Sequence, residues 1–174
     1  MKSKLFVAVL ALSAIVAVVP VASAKKESKE AKLVKQAKIT MAEARKTALG
    51  RVAGNIEEGK LEREKGKVLF EFEIHNAQNK EVIIHVDAVS GEISEVEEKS
   101  GSGSAKEAEI FRQVKISMDD AEVAALQRVA GNVVMAKLER ERGKILYEFE
   151  IIGSDDKETM VHVDAVTGQV ESVD

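Results

Sequence analysis

The chain carries three histidines, His75, His85 and His162. Two of them recur in one pattern, His-x-Asp, as His85 with Asp87 and His162 with Asp164. On a strand, residues two apart share a face, so each imidazole and carboxylate would point the same way. Joined by a cross-strand Glu71 or Glu148, such a pair has donor types that suit a divalent cation. The spacing fixes no third ligand, however, and the equivalent of His75 in the second half is Ile152. The expectation is therefore solvated histidines on the outer face of a sheet, with no metal and no cofactor. Glu71 and Glu73, like Glu148 and Glu150, are paired carboxylates of the kind glycosidases use, but here they alternate along a plain strand and read as a solvated row. Asp87 and Asp164 suit a second task, accepting backbone N–H groups in a tight turn. The serines show no His/Asp pattern around them, His-Glu-x-x-His is absent, and Gly101 and Gly103 do not sit between a strand and a helix as a phosphate loop requires. No catalytic residue is expected, and the chain is not expected to be an enzyme.

Composition narrows the classes further. The 174 residues are 32% charged and 45% apolar, a globular mixture, and only 3% aromatic. That scarcity disfavours a base-stacking platform or a large aromatic pocket. There is no cysteine, which removes disulfides, thiolate metal sites and thiol nucleophiles. The net charge of −4 from mixed signs gives no electrostatic case for nucleic acid.

Residues 1–24 read as an export signal. Lys2 and Lys4 precede an uncharged run from Leu5 to Val19, Pro20 breaks it, and Ala22-Ser23-Ala24 offers a cleavage site. The run is shorter than the ~20 residues a bilayer span needs. No stable membrane anchor is expected after cleavage. The two signal lysines leave with the segment, moving the net charge from −4 to −6.

The remainder of the chain is one unit written twice. A shift of 77 residues superposes 29–97 on 106–174 without a gap; RVAGN at 51–55 recurs at 128–132, and HVDAVSG at 85–91 returns as HVDAVTG at 162–168. Residues 98–105 between them, rich in Gly and Ser, read as a flexible linker. Two tandem domains are expected, each burying its own small core.

Each unit reads as one helix followed by strands. Thr40 with Glu43 forms a capping box, and Ser117 with Asp120 stands in the same place. Met41, Ala44, Ala48, Leu49 and Val52 then recur at helical spacing, and Gly54 and Gly131 suit a left-handed helix stop. The period switches to two at Val68-x-Phe70-x-Phe72-x-Ile74 and Ile145-x-Tyr147-x-Phe149-x-Ile151. The expected fold is α+β: two tandem copies of a helix packed on one face of an antiparallel sheet of about four strands. Leu69, Ile83, Leu146, Ile152 and Met160 fall on the opposite, polar face, where they would form an interface if contiguous and exposed.

The order Leu61-x-x-x-x-Gly66-x-x-x-Phe70-Glu71-Phe72-Glu73-Ile74, closing in Val86-Asp87-Ala88-Val89-Ser90-Gly91, resembles the PepSY domain. The second copy repeats it with Leu138, Gly143, Tyr147-Glu148-Phe149-Glu150-Ile151 and Val163-Asp164-Ala165-Val166-Thr167-Gly168. The resemblance spans nearly everything after the signal except the linker and tails. It implies an extracytoplasmic module, found in propeptides of secreted metallopeptidases and associated there with inhibition; here no peptidase is expected to follow. The expected function is an exported protein-binding module, with a secreted peptidase as the partner it would restrain through a sheet edge or the polar face. The expected location is periplasmic, with extracellular as the alternative, and the expected state a monomer or weak homodimer. The competing reading is a cell-envelope ligand or metal sensor built on the repeated His-x-Asp positions.

Overall fold

The structure, a computed structural model, describes residues 27–101 and 103–174. The signal segment 1–24 lies outside them. Each repeat contributes two helices and four strands. The first holds α1 (Lys29–Val34), α2 (Met41–Arg51), β1 (Gly54–Glu64), β2 (Lys67–Asn76), β3 (Glu81–Asp87) and β4 (Ile93–Glu98). The second holds α3 (Ala105–Gln113), α4 (Met118–Arg128), β5 (Asn132–Glu141), β6 (Lys144–Ile152), β7 (Glu158–Asp164) and β8 (Val170–Val173).

The helix starts follow from their caps. Thr40 accepts from the Glu43 amide at 3.2 Å while Glu43 accepts from the Thr40 amide at 2.8 Å. Ser104 and Glu107 make the same reciprocal pair at α3, so the linker ends inside a helix start. The expectation of one helix per copy missed α1 and α3; their caps, Ser28 and Ser104, were the available signal. Lys65-Gly66 and Arg142-Gly143 all adopt left-handed φ, the signature of a two-residue hairpin turn matched to strand twist. Gly54 and Gly131 serve a different purpose from the helix stop expected of them. Neither has positive φ; instead, a Cβ at Gly54 would lie 2.3 Å from the His75 carbonyl oxygen, and one at Gly131 2.4 Å from that of Ile152. Those glycines let the neighbouring strand come close.

The strands form a single antiparallel sheet in the order β4-β3-β2-β1-β5-β6-β7-β8. The join is β1 against β5, with Gly59 opposite Ala136, Glu58 opposite Lys137 and Lys60 opposite Met135. Gly59 and Ala136 are the same position in the two repeats, so the seam is built around a pseudo-two-fold axis, the geometry of an isologous interface. One buried cluster runs through both copies, from Ala31 and Phe72 to Phe149 and Val163, in place of two separate small cores.

The helices cross the seam as well. α1 touches β5 and β6 of the other repeat, and Lys35 pairs with Asp156 at 2.9 Å in the turn after β6. Reciprocally, α3 brings Phe111 against His75 at the end of β2, ring centroids 5.1 Å apart, and Gly103 is held by both the backbone and the side chain of Asn79. At the seam's centre, Arg45 of α2 meets Glu122 of α4 at 2.8 Å, with Asp119 on its Nε at 2.7 Å. Positions 45 and 122 are again equivalent, so the axis sets a cation in one copy against an anion in the other.

The polar face is less open than its alternation implies. Leu69, Leu146 and Ile152 are buried, and Ile83 and Met160 half-buried, so these residues do not make the exposed apolar patch that an interface on this face would need. The contacts of α1 and α3 at the ends of β6 and β2 account for Ile152 and His75.

Candidate functional site

Both copies of the Asp-Ala-Val-Ser/Thr-Gly turn use their aspartate as the spacing suggested. Asp87 accepts from the Ser90 and Val89 amides, both at 2.9 Å, which holds its carboxyl below the usual range. At Asp164 burial pushes upward, but the Thr167 and Val166 amides prevail and the net shift is also downward. Both carboxylates are thereby committed to the turn, so the His-x-Asp pairs do not converge on a ligand.

The histidines find other partners. His85 on β3 places Nε2 2.8 Å from Glu71 of β2, and Lys60 of β1 holds the other oxygen of Glu71 at 2.8 Å. Its Nδ1 lies 3.3 Å from Glu64 and 3.7 Å from Glu95. The His85 side chain is 11% exposed, so it is not the solvated imidazole expected. His162 makes the matching contact to Glu148 at 3.0 Å, but its Nδ1 meets the Ser172 hydroxyl at 2.8 Å. His75 is buried, bonded to Glu57 at 2.7 Å and covered by Phe111.

Ser172, His162 and Glu148 thus form a hydroxyl–imidazole–carboxylate chain that the spacing did not reveal, because Ser172 comes from the adjacent strand. The Ser172 hydroxyl is also shared with Asp174 at 3.1 Å. None of the three residues lines a cleft at the seam between the repeats.

The acid rows are only partly solvated. Glu73 is pushed upward by burial and then by Glu58, Glu81 and Glu57. Glu150 is raised to about 7 by burial, with Glu158, Glu30 and Glu148 adding to it, and its Oε1 is buried without a hydrogen-bond partner. Because the folded value exceeds the ordinary 4.5, folding favours the protonated acid. That contribution is complete below pH 4.5 and is lost as pH rises through about 7. Discounted for residual solvent access, the loss is on the order of 1 kcal/mol. Glu150→Gln should therefore be more stable than the parent at pH 8 and equal to it near pH 4. Urea melts across that range would show the two curves converging; parallel curves would exclude the assignment.

The concave surface lies at the seam. One cleft of about 290 Å³ is lined by Val34, Ile39, Met41, Leu61, Phe70 and Leu126, among others. A second, also about 290 Å³, is lined by the equivalent residues Phe111, Ile116, Met118, Leu138, Tyr147 and Leu49. Between them a groove of about 420 Å³ runs between α2 and α4, walled by Leu49, Leu126 and Val123 over Arg45 and Glu122. Shared lining residues join all three into one trough across the pseudo-two-fold. Val123 is 56% exposed. Sequence periodicity assigned Leu49 and Leu126 to the helix core stripe; they are only half-buried and line the groove between α2 and α4.

A family model described as "PepSY: Peptidase propeptide and YPEB domain" matches residues 38–97 and 115–174. No curated protein matches the chain. Among solved structures, a candidate lipoprotein (CD1622) from Clostridium difficile 630 is 20% identical, with a TM-score of 0.46, over 79% of this chain and 93% of its own. The YpmB protein from Bacillus subtilis is 15% identical, with a TM-score of 0.34, over 76% and 93%. Neither bears on what this chain does. Among the described residues, no helix is long and apolar enough to cross a membrane.

Proposed function

Because this chain belongs to the PepSY family, we propose that it is an exported, non-enzymatic protein-binding module and that the partner it restrains is a peptidase. The observation that carries this reading is the seam trough. It sets apolar side chains among polar ones along its walls, is built from both repeats, and repeats equivalent residues on either side of Arg45 and Glu122. Clefts of this volume accept single large apolar side chains, so a partner segment with two or three such side chains could seat along it. The family description, peptidase propeptide and YPEB domain, supports a peptidase as the class of partner. Export rests on residues 1–24, and the periplasm is the location favoured over the extracellular space.

The test adds the chain, without its first 24 residues, to secreted peptidases of the source organism. Saturable inhibition or capture of one of them is expected. Leu49→Arg with Leu126→Arg should abolish it while leaving the circular dichroism spectrum unchanged, since both side chains are half-buried. A full panel with neither binding nor inhibition refutes the proposal.

A further inference from the structure

The environments of His85 and His162 differ in one decisive way. A neutral imidazole carries one N–H and one lone pair. At His162, Nε2 faces Glu148 and Nδ1 faces the Ser172 hydroxyl, which itself donates to Asp174. At His85, Nε2 faces Glu71 at 2.8 Å, so the tautomer with its proton on Nε2 leaves the Nδ1 lone pair free. That Nδ1 lies beside two more carboxylates, Glu64 at 3.3 Å and Glu95 at 3.7 Å. Three electron-pair donors converge there, and their ligand atoms all lie within 4.8 Å of one another. A positive centre between them resolves the repulsion.

We propose that His85 Nδ1, Glu64 and Glu95 bind one divalent transition-metal cation of the zinc class. Ligands about 2.0–2.1 Å from a tetrahedral ion stand roughly 3.3 Å apart; Nδ1 is already 3.3 Å from Glu64 and 3.7 Å from Glu95, with all three ligand atoms within 4.8 Å, so small side-chain shifts close the site. Glu71 behind Nε2 fixes the tautomer and ring orientation, as outer-sphere carboxylates do at histidine–metal centres, and Lys60 fixes Glu71 in turn. Water completes the coordination from the open side, where Glu95 is 51% exposed. Lys65, 76% exposed, reaches Glu64 at 3.1 Å and Glu95 at 3.8 Å; the ion displaces this exposed ammonium. The other histidine with two nearby acids, His75 with Glu57 and Glu107, is closed over by Phe111, and Glu107 is committed to capping α3.

The duplication provides an internal control. Among the described residues the second repeat has Ser172 where the first has Glu95, and the acid beside His162 Nδ1 is Asp174 at 3.9 Å rather than Glu141, the counterpart of Glu64, so binding is one ion per chain rather than one per repeat. Calorimetric titration of the tag-free chain with Zn²⁺ should give a stoichiometry near one and shift the ring NMR signals of His85, leaving those of His162 in place. Glu95→Ser, an exposed change that copies the second repeat, should weaken binding at least tenfold. Ser172→Glu should raise the stoichiometry toward two. No heat and no His85 shift at millimolar Zn²⁺ would overturn the proposal, as would two equal sites in the parent chain or a Glu95→Ser variant that binds as tightly.

Discussion

Arg45→Ala is expected to cost about 3–5 kcal/mol of folding stability, the range for breaking a buried ion pair. Arg45 and Glu122 are 2% and 6% exposed at their side chains. Burial already drives the Glu122 carboxyl upward against the pull of Arg45. Truncating the arginine leaves that carboxylate with its desolvation and none of its compensation, so Glu122 should take up a proton and the loss should shrink at low pH. The pair is not therefore a large net source of stability. Replacing both residues with methionine should be close to neutral, because apolar side chains of similar length fill the same space without a desolvation penalty. Denaturant melts of the two single variants and the double variant close the cycle. A mild Arg45→Ala, under about 1 kcal/mol, would mean that the pair is solvent-screened and the seam loosely packed.

The second large effect is the failure of either repeat alone. Fragments 27–101 and 103–174, expressed separately, should each be largely unfolded or aggregated, and should regain the native spectrum as a one-to-one complex when mixed. Each fragment alone would leave β1 or β5 as a bare edge, and would strip the end of β2 or β6 of the helix that covers it. Self-pairing in the same register is available to either fragment, since the seam is isologous, but it would set Arg45 against Arg45 or Glu122 against Glu122. Like charges buried face to face cost several kcal/mol, so the mixed complex should win. Circular dichroism and sedimentation of the separate and mixed fragments decide it. Two independently folded, monomeric fragments would restore the picture of separate beads on a linker.

Much of the fold was legible in the residues. The gapless duplication, the strands from Val68 to Ile74 and from Ile145 to Ile151, the hairpin glycines and the Asp87 and Asp164 corners all follow from local chemistry that needs no partner. What was not legible depends on pairing at long range. Whether β1 ends at solvent or meets β5 changes none of its own alternation, so one sheet of eight and two sheets of four read alike. α1 and α3 are short, and each packs in part on the opposite repeat. Leu69 and Ile152 occupy positions whose parity is polar, and only the surrounding structure buries them. The site suffered the same way. Position 85 and position 162 look identical along the chain, and the difference between them arrives from the neighbouring strand, as Glu95 in one case and Ser172 in the other.

By consuming β1 and β5 in each other, the seam also limits how far the sheet can grow. Among the described strands only β4 and β8 keep an unpaired side, and both are lined with acid: Glu95, Glu97 and Glu98 on one, Glu171 and the adjoining Asp174 on the other. Chains that stacked rim to rim would press these carboxylates together, a common guard against fibre formation. Fusion therefore closes the two unpaired rims a lone unit would present at β1 or β5 and leaves outward only those lined with like charge.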